Sequence, residues 1–338
     1  MISHNKPTLG KKEQSAASQV ISSGHISQGE EVEKFENEFC EFLGLPEQHA
    51  VALSNGTSAL FMALWSLNAK NKTVAIPVYV CSSLKNAVSM SQASELFIDN
   101  APMSPNIDLK EVGGSHADIA IIPHMFGLPN EIKDFKKMEV IEDCAQSLGA
   151  SIGNQKTGLI GSSGIFSFYA TKLITSGGQG GMFVSKDKNL IDEVRDFREF
   201  DYRKDKKERF NYQMTDIQAS IGRVQLKKLP FFLERREEIF NMYKDSGLDL
   251  IESNCEINTS AYYRAVINVD KPLRLKQQLL KSGISTIIPI EDWELLSDAR
   301  KFKNSYELTQ HTLSLPIYPS LTNSEISFIV KELDKLIR

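Results

Sequence analysis

The sequence predicts an α/β protein: a large unit with a mostly parallel sheet sandwiched by helices, followed by a small C-terminal α+β unit. Two observations carry this. Short apolar runs alternate with longer amphipathic segments through the first two-thirds of the chain, the pattern of buried strands and covering helices, and a different pattern begins near residue 243. The 338 residues also exceed one average domain. A division into 1–235 and 236–338 is expected.

AVAL (50–53), TVAIP (73–77), ELFID (95–99), DIAIIP (118–123), EVIED (139–143), GIFSF (164–168) and MFVS (182–185) read as strands. Most are unbroken apolar runs, so both faces of the sheet should be covered. Helical periodicity over 57–67 and 188–199 supplies β-α units. In such a sheet ligands bind at the carboxyl ends of the strands. A long helix is expected from Thr215 to about Tyr243, broken near Pro230 because an internal proline removes a backbone donor and crowds the preceding turn. Beyond it, YYRAVINV (262–269) reads as a strand, and 272–281 and 323–337 read as helices.

The formal net charge of -4 offers no basic excess for gripping phosphate backbones, so nucleic acid is not expected as a partner. The N-terminal stretch has no signal-peptide core, and no run approaches the roughly 20 apolar residues that span a bilayer. A cytoplasmic protein without a membrane partner is expected. Cys40, Cys81, Cys144 and Cys255 lie far apart without metal-ligand spacing, which points to reduced thiols, no disulfide and no structural zinc.

Three segments combine residue types that chemistry needs. SNGTSAL (54–60) follows the first strand and opens a helix. Gly56 permits a tight turn, and the next amides, Thr57 included, are free donors at a positive helix end, which makes an anion seat. Read alone, the segment is equally a capped strand-to-helix turn. IEDCAQSLGA (141–150) ends a strand in Glu142 and Asp143. A carboxylate there can hold a heteroaromatic nitrogen protonated, with Gln146 close by, although acidic residues also end strands merely to cap the next helix. FSFYATKLITSGGQGGM (166–182) delivers Ser167 and then Lys172 into a glycine-rich stretch. Lysine forms Schiff bases with carbonyl cofactors once its surroundings depress its pKa, whereas a lone lysine beside glycines is ordinary surface.

Together SNGTSAL, EDCAQSLGA, SFYATK, NYQMTDIQASIGRVQL (211–226) and LSLPIYPSLTNSEI (313–326) resemble, in order and spacing, the successive signatures of DegT-type sugar aminotransferases. These are pyridoxal-phosphate enzymes of fold type I, and the resemblance runs from GHISQGEEVEKFENEF (24–39) nearly to the C-terminus. It implies pyridoxal 5′-phosphate as cofactor, with Lys172 as the lysine that carries it and shuttles the proton. It makes Asp143 the partner of the pyridine nitrogen and puts Gln146 beside the ring hydroxyl. Ser167 and the amides of Gly56 and Thr57 would surround the phosphate, completed by Asn211 of a neighbouring subunit, hence a homodimer with a shared active site. The implied reaction moves an amino group from an amino-acid donor, usually glutamate, to a nucleotide-linked keto sugar, at C3 or C4, in amino-sugar or polysaccharide biosynthesis.

The chain departs from the family pattern in places. Cys81 falls where an aromatic residue usually stacks on the cofactor ring, with Tyr79 two residues away as a substitute or a buried structural tyrosine. Gln179 stands where many relatives are acidic, and TIIPIEDWELL (286–296) lacks the His-Tyr pair common in sugar-converting members. His124 reads as a packing residue. The run 198–210, with Arg203 and Arg209, is either a diphosphate contact or a solvated loop. A cofactor-dependent sugar dehydratase, whose family members tend to carry histidine in place of the lysine, and a non-catalytic binding member of the fold are the alternatives.

Overall fold

The computed structural model of the protein describes residues 1–337 other than 133, 134, 136, 137, 254 and 256. Helices α1 (Lys11–Ser23) and α2 (Glu30–Leu43) precede β1 (Ala50–Leu53). Then come α3 (Gly56–Ser66), β2 (Thr73–Pro77), α4 (Ser83–Met90), β3 (Ser94–Ile98), α5 (Leu109–Gly114), β4 (Ile119–Pro123) and β5 (Glu139–Asp143). A hairpin of β6 (Ser151–Ile152) and β7 (Gln155–Lys156) leads to β8 (Ser163–Ser167) and β9 (Gly181–Val184). Next are α6 (Lys188–Arg198), α7 (Asp216–Asp245), β10 (Asn258–Thr259) and β11 (Ala265–Asn268). The chain ends with α8 (Pro272–Lys281), α9 (Lys303–His311), β12 (Thr312–Leu315) and α10 (Asn323–Ile337). No helix among the described residues is long and apolar enough to cross a membrane, and all four cysteines are free thiols.

Seven strands form one sheet in the order β1-β9-β8-β5-β4-β2-β3. Only β9 opposes its neighbours, β1 and β8; the other pairings are parallel. Alternating side chains feed two cores. From β8, Ile165 joins α3 and its neighbours on one face, while Phe166 packs edge-on against Phe39 of α2 on the other, ring centroids 5.0 Å apart. Helix α3 buries Ala59, Leu60, Met62, Ala63 and Leu64, so its N-terminus is fixed by a helix wedged in the core. The expectation that the strands are covered on both faces fails at β3. It is an edge strand with Ser94 and Glu95 exposed, because nothing packs over its outer end.

Two further expectations are corrected. Pro230 does not break the long helix: α7 runs uninterrupted from Asp216 to Asp245. Pro230 faces solvent, where water can take the carbonyl bond it forgoes, while Leu229 and Phe232 beside it are anchored in the core. The run 262–269 pairs as a strand only over 265–268, because Tyr262 adopts φ 46°, incompatible with an extended ladder.

Helix α7 passes from the core containing Leu226, Leu229 and Phe232 to one containing Ile239, Phe240 and Tyr243, which it shares with β11, β12, α8 and α10. The extreme N-terminus joins this second core. Ile2 is buried in it, donates to the Gly283 carbonyl at 2.8 Å and accepts from the Ser285 amide at 2.9 Å. Where α7 changes cores, the fully buried Arg236 donates from Nη1 to the carbonyls of Tyr262, Tyr263 and Ile317, at 3.3, 3.2 and 3.0 Å. Burial pulls its pKa down to about 10. Arg236→Met leaves three buried carbonyls without a donor, so urea unfolding should show a loss of about 3 kcal/mol.

Candidate active site

The turn from β1 into α3 is held by its own side chains. Asn55 caps the helix, its Oδ1 accepting from the Ser58 amide at 2.8 Å, and its carbonyl accepts from the Ala59 amide at 3.1 Å. The first two amides, Gly56 and Thr57, are left at the helix mouth. Two glycines let this turn sit directly on the sheet. A Cβ on Gly56 would lie 2.8 Å from Ser167 Cβ, and one on Gly181 would lie 2.4 Å from the Asn55 carbonyl oxygen. The glycine-rich stretch is therefore no loose loop. Gly177 and Gly178 hold φ of 73° and 125°, which side chains disfavour, and Gly180 and Gly181 are packed against the turn and its surroundings.

That packing gathers Gly56, Thr57, Asp143, Ser167 and Lys172 around one cleft of about 430 Å³ at the carboxyl ends of β1, β5 and β8. Cys81, Ser83, Tyr169 and Gln179 complete much of its wall. Of the two residues considered for ring stacking, Cys81 is at the cleft and exposed, whereas Tyr79 is fully buried, edge-on to Phe126 at 6.3 Å. Thr57 Oγ1 donates to Ser83 Oγ at 3.2 Å, tying the α3 and α4 ends together.

Asp143 is buried, with Oδ1 accepting from the Ala145 amide at 3.0 Å. Burial raises its pKa, and the Ala145 amide, Lys172 and His124 offset this only in part. Lys172 Nζ lies over the Tyr263 ring, 5.3 Å from its centroid. Burial would raise the pKa of the Tyr263 hydroxyl, but Lys172, Arg264, a Thr171 hydrogen bond and Arg236 together bring it below the ordinary value. The Thr171 carbonyl accepts from Asn5 Nδ2 at 2.9 Å, so the N-terminal segment braces the peptide next to Lys172.

Gln146 and Asn211 stand apart from the cleft wall. Gln146 Oε1 accepts from the Phe126 amide at 2.8 Å, and among the described residues its Nε2 meets only the Met125 sulfur, at 3.7 Å. The Phe126 residue it holds has φ 61°, and the neighbouring turn accepts from the Ala261 and Arg264 amides through the carbonyls of Gly127 and Phe126. Gln146 thus supports the segment that carries Tyr263. Asn211 is exposed, its Oδ1 accepting from the Gln213 amide at 3.2 Å, beside Tyr212, whose carbonyl binds the Ser54 amide.

Glu142, beside Asp143, is a scaffold. It accepts from His124 Nε2 at 3.0 Å and from the amides of Gly158, Ile160 and Gly161 at 2.8, 2.6 and 2.8 Å. His124 Nδ1 in turn accepts from the Asn130 amide at 2.9 Å. His124, Glu142 and Cys144 lie close enough for a metal, but the histidine nitrogens and the carboxylate are all engaged. Arg209 is likewise occupied, by Asp196 and Asp205 at 2.9 and 2.7 Å, and Arg203 by Asp196, so neither is free for a diphosphate. A larger cleft, about 840 Å³, lies between α1 and the start of α7. Its Arg223 is held by Glu31 and Glu38 at 2.6 and 2.7 Å, and no strand end opens into it.

Residues 7–334 match the profile of the DegT/DnrJ/EryC1/StrS aminotransferase family. The chain belongs to this family. The family's enzymes are pyridoxal-phosphate-dependent aminotransferases. The chain is 28% identical to the dTDP-4-dehydro-2,3,6-trideoxy-D-glucose 4-aminotransferase of Saccharopolyspora spinosa, covering 100% of this chain and 97% of that protein. It is 27% identical to the GDP-perosamine synthase of Escherichia coli O157:H7, over 98% and 97% of the two chains. The aminotransferase TlmJ from Streptoalloteichus hindustanus superposes with a TM-score of 0.92 at 25% identity, over 98% of each chain.

Two variants test the construction of this aminotransferase's site. Gly56→Ala should force α3 off β8 and cost about 1–3 kcal/mol in urea unfolding. Glu142→Ala leaves three buried amides and an imidazole without their acceptor, and a loss of about 3–5 kcal/mol is expected by the same measurement.

Proposed function

We propose that the cleft holds pyridoxal 5′-phosphate, and that the protein uses it to move an amino group from an amino acid, glutamate first among candidates, to a nucleotide-linked keto sugar. The observation behind this reading is that Lys172, Asp143, Ser167 and the mouth of α3 line one cleft. The residue types fit the cofactor: anion donors, a buried carboxylate wanting a cation, and a lysine.

The amides of Gly56 and Thr57 and the Ser167 hydroxyl would bind the phosphate, with the α3 dipole behind them. Asp143 would keep the ring nitrogen protonated. Gln146 Nε2, with only a sulfur for partner, would donate to the ring hydroxyl. Pyridoxal phosphate, when bound, supplies a ring that accepts electrons from the substrate carbon. Lys172 Nζ would hold it, and the same nitrogen would take the proton from the donor's α-carbon as general base and give it back as general acid. The nucleotide sugars named for relatives at 27% and 28% identity support the acceptor class. The chain is proposed to divide near residue 235, inside α7, where that helix passes from one apolar core to the next.

The site is proposed to be shared within a homodimer. Asn211 follows the exposed Phe210, whose ring lies against Tyr212 at 5.0 Å, the kind of aromatic exposure that marks a contact surface. A second copy would receive Asn211 at its phosphate site.

Three outcomes are expected. Purified protein should absorb as the lysine-bound cofactor, bleach on addition of glutamate, and transfer nitrogen to a keto sugar presented on UDP, GDP or dTDP; Lys172→Ala should lose at least about 1,000-fold in turnover. Mixing Lys172→Ala with Asn211→Ala subunits should restore about a quarter of wild-type activity, because hybrids regain one intact site; no restoration would place both residues in one subunit's site. For Asp143, the stability given by the protonated carboxyl is present below the ordinary value of 3.8 and lost as pH rises through the raised folded value. Cofactor-free Asp143→Asn should therefore melt above wild type at neutral pH, by a margin that narrows on acidification, and should bind the cofactor more weakly.

A further inference from the structure

Arg264 stands out among the charged groups near the cleft. It is half-buried, its amide is fixed to the Phe126 carbonyl at 3.2 Å, and its guanidinium has no ion pair or hydrogen bond among the described residues. Half-buried arginines are ordinarily paired. The guanidinium instead lies over the Tyr263 ring, 5.3 Å from the centroid, the same distance at which Lys172 Nζ lies from that ring. The two cations are therefore within twice that distance of each other.

The surroundings add positive charge without neutralising it. Arg236 lies behind, bonded only to carbonyls. His4, bonded to Ser314 Oγ at 2.9 Å, is held neutral, its pKa lowered to about 3 by burial and then by Arg264 and Arg236. Glu294 accepts from the Glu291 amide at 2.8 Å and forms no ion pair with Arg264 among the described residues.

We infer that Arg264 is the docking point for a carboxylate of the amino-acid donor, a reading that rests on the transamination proposed above. Distance favours this anion over the diphosphate of a sugar nucleotide. In an amino acid whose nitrogen reacts at Lys172, the α-carboxylate carbon lies about 2.5 Å from that nitrogen, and a side-chain carboxylate of glutamate about 5 Å. A charge-assisted hydrogen bond adds about 2.8 Å more, which stays within the upper limit that the shared Tyr263 ring sets on the separation of the two cations. A diphosphate is held off from the reacting carbon by the sugar ring itself and falls farther out. The planar fork of Arg264, anchored at its backbone and free at its tip, suits a bidentate carboxylate.

The experiment is calorimetric titration of the cofactor-loaded protein with glutarate, a non-reacting dicarboxylate, and separately with UDP, GDP and dTDP. Arg264→Met should weaken glutarate binding about tenfold or more, Arg264→Lys should weaken it less, and neither should change nucleotide binding or the absorbance of the bound cofactor. Equal glutarate affinity in wild type and Arg264→Met, failure of wild type to bind glutarate, or a loss confined to the nucleotides would each overturn the inference. A wild-type protein that binds glutarate through Arg264 but never acquires cofactor absorbance would overturn the cofactor reading and leave the carboxylate site standing.

Discussion

The site depends on one close contact, the seating of the β1–α3 turn on the ends of β8 and β9. Gly56 against Ser167 and Gly181 against Asn55 leave no room for a side chain on either glycine. Were the turn lifted by the thickness of a methyl group, the α3 amides would leave Ser167, and the cleft would open at its anion-binding end. The packing that enforces the contact lies elsewhere. Apolar α3 is wedged between the sheet and α4, and burial of Ala59, Leu60, Met62, Ala63 and Leu64 drives the helix down onto the strands.

Around this contact the protein builds supports behind the cleft wall. Glu142 ties β5 to the 158–161 turn through three amides and to His124. Gln146 stabilises the left-handed Phe126, whose turn carries the Tyr263 and Arg264 segment back toward Lys172. Arg236 holds the other side of that segment from α7. The Lys172 loop, the sheet and the C-terminal core are thus joined by a continuous set of polar contacts, which is what a transferase needs to keep a proton acceptor in register.

The central strands were legible because parallel, doubly covered strands write themselves as unbroken apolar runs; β2 and β5 begin and end where the residues change character. The cleft-lining Gly56, Asp143 and Ser167 were legible because each sits at a strand end or helix start, and Lys172, in the turn after β8, only through its register with them. Pro230 misled because its exposure on α7 is a tertiary fact. Tyr263, Arg264, Arg236 and Asn5 were not readable at all: Arg236 and Asn5 reach partners 26 and 166 residues away, Tyr263 meets the distant Lys172, and no local pattern announces them. Glu142 looked like half of an acidic pair, and only the fold reveals that it faces four donors while Asp143 faces the cleft.

The claim that Lys172 is the cofactor's anchor is tested most directly by reducing the purified protein with borohydride, digesting it and mapping the product by mass spectrometry. The account predicts one pyridoxyl adduct, on the peptide containing Lys172. An adduct on any other lysine, or none in protein that had absorbed as the cofactor-bound form, would contradict it.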